Sequence, residues 1–367
     1  MPSFILLLEL ALIAIVFAGL PLAYLWGKTG YSFFQKLNWV LVFMTFDLIV
    51  FGAFTRLTDS GLGCPDWPGC YGNSNPLHAL GDIRQAELLL PDGPVTVMKA
   101  WIEMIHRYLA MTVGALILVQ VGAAVTKLKS LGKDPLLGSL GLLLLVCIQG
   151  AFGAWTVTLK LQPIIVSIHL ILALFLLAAL TAYAQHVWVE KNSSLRVLRV
   201  RSLPGLLWLF AFTILFCQIF LGAWVSTNYA VLACPDFPTC LGSAWPETNW
   251  QEGFTLWRQL GLNAQGAFIS PVALQTIHWA HRLFACLVLL ALSLLAWRVL
   301  RQSNPATEGL NRFAKLLLGL LALQIITGIS NVVFQWPLTA ALLHTAGSAA
   351  LVFCMVRIGY WTSWKRL

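Results

Sequence analysis

Nine stretches of this chain are each apolar for long enough to cross a lipid bilayer, and that one feature removes most of fold space. They fall near residues 3–26, 36–56, 100–126, 135–157, 163–187, 203–226, 272–297, 312–334 and 338–358. A helix needs about 20 apolar residues to span the hydrocarbon layer. No water satisfies the backbone there, so each run must close its own hydrogen bonds as a helix. Of the 367 residues, 59% are hydrophobic and 10% are charged. A soluble domain carries about a quarter charged residues. The fold class is all-α integral membrane. The first run lacks a basic leader and a small-x-small cleavage site, so it is read as a retained helix, with a cleaved leader as the alternative.

The net charge of +9 does not point to nucleic acid, because the basic residues gather in short loops. Lys28 and Lys36 follow the first run; Lys127, Lys129 and Lys133 the third; Lys191, Arg196, Arg199 and Arg201 the fifth. Arg298, Arg301, Arg312 and Lys315 follow the seventh, and Arg357, Lys365 and Arg366 end the chain. The alternate loops carry Asp59, Asp66, Asp82, Glu87, Asp92, Asp236, Glu247 and Glu252. By the positive-inside rule the C-terminus is cytoplasmic. The N-terminus and two long loops, about 57–99 and 227–271, lie outside.

The chain also repeats itself. Cys64-Pro-Asp-Trp-Pro-Gly-Cys70 is echoed by Cys234-Pro-Asp-Phe-Pro-Thr-Cys240, an offset of 234 − 64 = 170. Gly52-Ala53 matches Gly222-Ala223 at the same offset. His106-Arg107 matches His281-Arg282, Gln149 matches Gln324, Gly153 matches Gly328 and His169 matches His344, all at 175. Runs two to five form one copy and runs six to nine the other. The expected organisation is an extra helix over 1–35, a four-helix repeat over 36–190 and a second over 191–367. The expectation is two tandem four-helix bundles related by a pseudo-two-fold along the membrane normal, as in parallel repeats.

Four histidines, His106, His169, His281 and His344, stand about six residues inside the outer ends of their runs. At 1.5 Å per residue that is roughly 9 Å deep. Intramembrane ionisable residues are expensive and mark function. A lone histidine would read as a helix-to-helix hydrogen bond; two matched pairs read better as haem ligands, since neutral imidazole is a common axial ligand. His186, at an inner helix end, and His78, in an outer loop, read as solvated or interfacial.

The copies differ one turn from the first histidine. Glu103-x-x-His106-Arg107 becomes His278-x-x-His281-Arg282. A carboxylate beside an iron ligand suits a proton acceptor at a bound substrate; pairing with Arg107 or Lys99 is the plainer alternative. Arg107 and Arg282 suit the carboxylates of a haem by their forked donors, or ordinary interfacial anchoring. Asp47 is an intramembrane acid whose partner is not legible. The cysteine spacing favours one disulfide per loop, Cys64–Cys70 and Cys234–Cys240, with a zinc site from all four as the alternative. Cys147, Cys217, Cys286 and Cys354 fall in apolar runs and read as core.

Gly52-Ala-Phe-Thr-Arg56-Leu-Thr-Asp-Ser-Gly-Leu-Gly-Cys64-Pro-Asp-Trp-Pro, the E-x-x-H-R at 103–107 and the repeated histidines resemble the haem A synthase family over about residues 36–358. The resemblance implies an oxidoreductase that converts the C8 methyl of haem O to the formyl group of haem A by successive hydroxylations, for a-type oxidases. It implies resident haem b on His281 and His344, with Arg282, and substrate haem at His106 and His169, with Glu103 and Arg107. It implies a haem O synthase as donor and an inner-membrane location, with the cysteine loops periplasmic. Lipid surrounds such a protein, and a homo-oligomer is compatible with it. Family members commonly have eight helices, so the first run is an addition. The other readings are a haem-transfer protein without catalysis and a quinone-linked dihaem cytochrome b. The latter carries two histidines on each ligand helix, whereas each helix here carries one matched histidine.

Overall fold

Apolar runs that must satisfy their own backbone become helices, and in the computed structural model each of the nine forms one. The described residues are 4–26, 32–91, 93–126, 128, 133–191, 205–301 and 308–360, without the side chains of 26, 188–191 and 308. Eleven α-helices follow in order: α1 (Phe4–Trp26), α2 (Phe33–Leu57), α3 (Leu80–Leu89), α4 (Val97–Thr126), α5 (Asp134–Thr158), α6 (Pro163–Lys191), α7 (Gly205–Thr227), α8 (Trp250–Gly253), α9 (Pro271–Arg301), α10 (Glu308–Val333) and α11 (Leu338–Tyr360). Nine of these, all but α3 and α8, are long and apolar enough to cross a membrane. The protein is a multi-pass α-helical membrane protein. Of the loop charges that set the expected orientation, Lys28, Asp92, Lys127, Lys129, Arg196, Arg199, Arg201, Lys365 and Arg366 lie outside the described residues, as does the side chain of Lys191.

Two helices run further outward than their apolar stretches. α4 begins at Val97 rather than 100, and α9 at Pro271. Thr96 Oγ1 accepts the Lys99 amide at 3.2 Å, and Ser270 Oγ accepts the Ala273 amide at 3.2 Å. These hydroxyls satisfy orphan donors at the helix starts. The four histidines therefore do not share one distance from their helix starts. His106 stands 106 − 97 = 9 residues in and His281 stands 281 − 271 = 10, against 6 for His169 and His344.

The chain packs as two compact units, Met1–Leu161 and Gln162–Leu367. In the first, α4 is the centre, with α1, α2, α3 and α5 against it. The additional helix α1 is packed there: Leu6 and Leu10 join Cys64, Cys70, Ile83, Met104 and Tyr108 in one buried cluster, and Phe17 stacks on Tyr108 with ring centres 6.2 Å apart. In the second unit α6, α7, α9, α10 and α11 pack together. The sequence copy and the packing unit divide the chain differently, since α6 belongs by repeat to the first copy and packs on α7 and α11.

Three of the four cysteines in apolar runs are corrected. Cys147, Cys217 and Cys286 are exposed on the chain, and Cys354 alone is buried. A small apolar side chain facing lipid carries no penalty, so an apolar run does not separate core from lipid-facing positions.

Candidate functional site

Each disulfide loop is built by the same local chemistry. Cys64 and Cys70 form a disulfide with Cα atoms 4.9 Å apart, and Cys234 and Cys240 one with 4.7 Å. Both loops contain a cis proline, after Trp67 and after Phe237. Because each pair closes on itself, the four-cysteine zinc alternative has no thiolates left. Among the described residues no three His, Cys, Asp or Glu side chains converge as a metal site.

The aspartate inside each motif is the loop's internal cap. Asp66 accepts the amides of Tyr71 at 2.6 Å and Gly72 at 2.7 Å. Asp236 accepts those of Leu241 at 2.6 Å and Gly242 at 3.0 Å, and the Thr239 hydroxyl. The Thr239 hydroxyl first, then the Gly242 and Leu241 amides, hold the Asp236 carboxyl down at about 2. The shared C-P-D spelling carried the signal for this cap.

A helix arginine pins each loop from below. Arg107 donates to the carbonyls of Asp66 at 2.9 Å, Pro68 at 3.3 Å and Gly69. Arg282 donates to those of Asp236 at 2.8 Å, Thr239 at 2.9 Å and Cys234 at 2.7 Å. The sequence offers haem carboxylates or interfacial anchoring for these guanidiniums; within the chain both arginines hold main-chain carbonyls, and Arg107 also pairs with Glu103.

The position one turn outward separates the copies. Glu103 is 4% exposed. One carboxylate oxygen pairs with Arg107 and the other accepts the Cys64 amide at 2.7 Å. The pairing with Arg107 that the sequence offered as the plainer alternative is thus present, and Lys99 instead reaches the Gly93 carbonyl at 3.4 Å. In the second copy His278 Nε2 accepts from Arg282 Nε at 3.2 Å. A carboxyl group in one copy and an imidazole in the other therefore sit in the same frame.

His281 and His344 face each other, with ring centres 6.5 Å apart and planes at 74°. With a metal–nitrogen bond of about 2 Å and a ring centre roughly 1 Å behind its nitrogen, two imidazoles on opposite sides of one iron have centres about 6 Å apart. The spacing of the two ring centres is close to that distance. Two neighbours that sequence reasoning gave no role hold these rings. Gln218 Nε2 lies 3.1 Å from His281 Nδ1 and donates to the His281 carbonyl at 3.1 Å. Thr327 Oγ1 lies 2.9 Å from His344 Nδ1. Gly222 meets His281 edge-on: a Cβ there would stand 2.9 Å from the ring.

In the first copy His106 lies against Gly52, where a Cβ would be 3.0 Å from Nε2, and stacks on Phe51 at 6.4 Å between ring centres. The repeat-matched Gly52 and Gly222 thus make the same close approach. His169 is on α6, in the second packing unit. His78 is exposed beside Asn75, and His186 lies 3.4 Å from the Tyr360 hydroxyl at the inner ends of α6 and α11. Asp47 is exposed on α2.

Fold and site together define a multi-pass helical membrane protein that carries a closely spaced His281–His344 pair and two disulfide-closed loops. The family model described as Cytochrome oxidase assembly protein matches residues 35–356. The chain belongs to that family. It is 37% identical over 334 residues to a protein named Heme A synthase from Shewanella oneidensis, covering 89% of this chain and 96% of that one. It is 30% identical to a Heme A synthase from Paracoccus denitrificans, covering 87% of this chain and 84% of the other. It is 29% identical to one from Caulobacter vibrioides, covering 85% and 91%.

Proposed function

We propose that this protein is a haem A synthase, an oxidoreductase that converts the C8 methyl of haem O to a formyl group. Two successive hydroxylations, each adding an oxygen atom from water and releasing two protons and two electrons to an external acceptor, give the alcohol and then the gem-diol, which loses water to the aldehyde. The observation that carries the reading is the His281–His344 pair, spaced for one iron, in a repeat whose other copy carries Glu103 where this one carries His278.

In this reading His281 and His344 hold resident haem b, which supplies an electron-accepting centre when bound. Arg282 acts there through the loop it pins. The oxidation belongs to the first copy. His106 meets the substrate haem, and His169 is assigned as the second substrate ligand on the sequence repeat alone. Glu103 takes the protons released as the methyl carbon is oxidised, with Arg107 compensating its charge while no proton is held. A buried carboxylate left unpaired would be strongly disfavoured, so the pairing keeps an anionic base available within the membrane.

The chain is proposed to lie in the inner membrane, with its N-terminus and both cysteine loops periplasmic and its C-terminus cytoplasmic. Two intact disulfides support an oxidising compartment for the loops. Haem O then arrives from a haem O synthase through the lipid phase. The test is to place the gene in cells that make haem O and lack haem A. Appearance of haem A supports the proposal; unchanged haem O excludes it and favours the haem-transfer alternative.

A further inference from the structure

We infer that Thr327 is a positioning residue that fixes which nitrogen of His344 is offered to iron. The inference rests on the assignment of resident haem to His281 and His344.

Thr327 is 4% exposed, on α10. Its hydroxyl lies 2.7 Å from the Leu323 carbonyl, with the Gln324 carbonyl at 3.4 Å, the back-bond expected of a threonine inside a helix. A hydroxyl owns one proton, and both of these neighbours only accept. The proton therefore points at the helix carbonyls, and the oxygen presents lone pairs to its remaining neighbour. That neighbour is His344 Nδ1, at 2.9 Å. Two lone pairs facing each other would repel, so Nδ1 carries the hydrogen and donates it to Thr327. In a neutral imidazole this leaves the lone pair on Nε2, the nitrogen on the far side of the ring from Thr327.

The backbone around the ring is held as well. The His344 carbonyl accepts from Gln324 Nε2 at 3.0 Å and from the Ser348 hydroxyl at 2.9 Å. Gly328, next after Thr327, keeps α10 close: a Cβ there would lie 3.4 Å from His344 Cε1. Tautomer and ring position are thus set by the protein's own groups. Outer partners of this kind orient a ligating histidine and strengthen its donation to the metal.

The repeat gives an internal comparison. At the offset of 175 the counterpart of Thr327 is Phe152, and at 170 the counterpart of Gln218 is Leu48. Neither has a hydrogen-bonding side chain. The Thr327 hydroxyl and the Gln218 amide thus have no counterpart at these two positions of the first copy.

The test uses the full chain, purified with its haem b. Thr327→Val keeps the branched shape and removes the hydroxyl; Thr327→Ser keeps the hydroxyl. Haem loss is timed by transfer to excess apomyoglobin, and the midpoint potential is measured by redox titration. Thr327→Val should lose haem about 10- to 100-fold faster, the usual effect of removing an outer partner. Its potential should move positive, because weaker donation from Nε2 stabilises ferric iron less. Thr327→Ser should stay near wild type on both readouts. If Val does not accumulate, Thr327→Ala carries the same comparison. Unchanged haem loss and potential in the hydroxyl-free variant, with haem absent from His344→Ala, overturn the role of Thr327 alone. Unchanged haem in His344→Ala overturns the site assignment and this inference with it.

Discussion

The Cys64 amide donates to the Glu103 carboxylate at 2.7 Å across 39 residues of sequence, so the candidate proton acceptor also ties the first disulfide loop to α4. Two roles meet in one side chain, and two substitutions separate them. Glu103→Gln keeps an oxygen for the Cys64 amide and removes the base. It should retain haem b and lower haem A formation by at least about 10²-fold, the low end for a lost general base. Glu103→Ala removes the contact to the Cys64 amide and any acceptor for Arg107 at this position, leaving that arginine only its loop carbonyls; losing one member of a buried pair costs about 3–5 kcal/mol. That variant should accumulate poorly. Haem A formed at the normal rate by Glu103→Gln would make Glu103 a brace only.

Gly63 lets the same loop lie on the helix. A Cβ at that position would run into the Lys99 carbonyl and the Ala100 amide, both rigid backbone. Gly63→Ala should destabilise the protein by about 1–3 kcal/mol, the usual range for overpacking, and speed reduction of Cys64–Cys70 by dithiothreitol. The matching residue in the second copy is Ala233, which already carries a Cβ. Ala233→Gly should therefore leave reduction of Cys234–Cys240 near its normal rate. A Gly63→Ala protein with unchanged melting and reduction would contradict the close approach.

Gly222 has the corresponding role at the imidazole. Gly222→Ala puts a methyl 2.9 Å from His281 Cε1, a distance that forces the ring or helix to move. Haem b per protein should fall severalfold while membrane insertion is unchanged, as read from the Soret absorbance of purified protein. Full haem occupancy would mean the ring has room that the structure does not give it.

Acid should loosen the second loop before it disturbs the helices. The folded Asp236 carboxyl is held at about 2, below its ordinary 3.8, by Thr239, Gly242 and Leu241. A depressed carboxyl stabilises the fold fully above its ordinary value, and that contribution disappears as pH falls through the folded one. Hydrogen exchange in the 234–243 peptide, corrected for intrinsic rate, should stay protected at pH 5 and rise between about pH 4 and pH 2. Asp236→Asn should abolish the pH step. A step near neutral pH would point to another group.

The spans, the repeat and both disulfides were legible because each rests on a local rule: run length, motif spacing, and a short loop between paired cysteines. The matched histidines were legible as candidates for the same reason. The roles of Arg107 and Arg282 were not. A guanidinium suits a carboxylate and a set of carbonyls equally well, and the carbonyls that Arg107 and Arg282 hold come from loops far away in sequence. Thr327 and Gln218 were invisible for a related reason. A threonine inside a membrane helix ordinarily bonds its own backbone, and nothing nearby in sequence reveals that His344, 17 residues on, comes to share its oxygen. The exposed Cys147, Cys217 and Cys286 mark the same limit, since lipid and protein core select the same apolar side chains.

The central claim is a division of labour between the copies, with resident haem in the second and oxidation in the first. Its most direct test is mass identification of haems extracted from wild type, His281→Ala and His106→Ala, each purified from cells that make haem O. The account predicts haem b in wild type and in His106→Ala but not in His281→Ala, with haem A formed by wild type alone. Haem b retained by His281→Ala and lost from His106→Ala would contradict it.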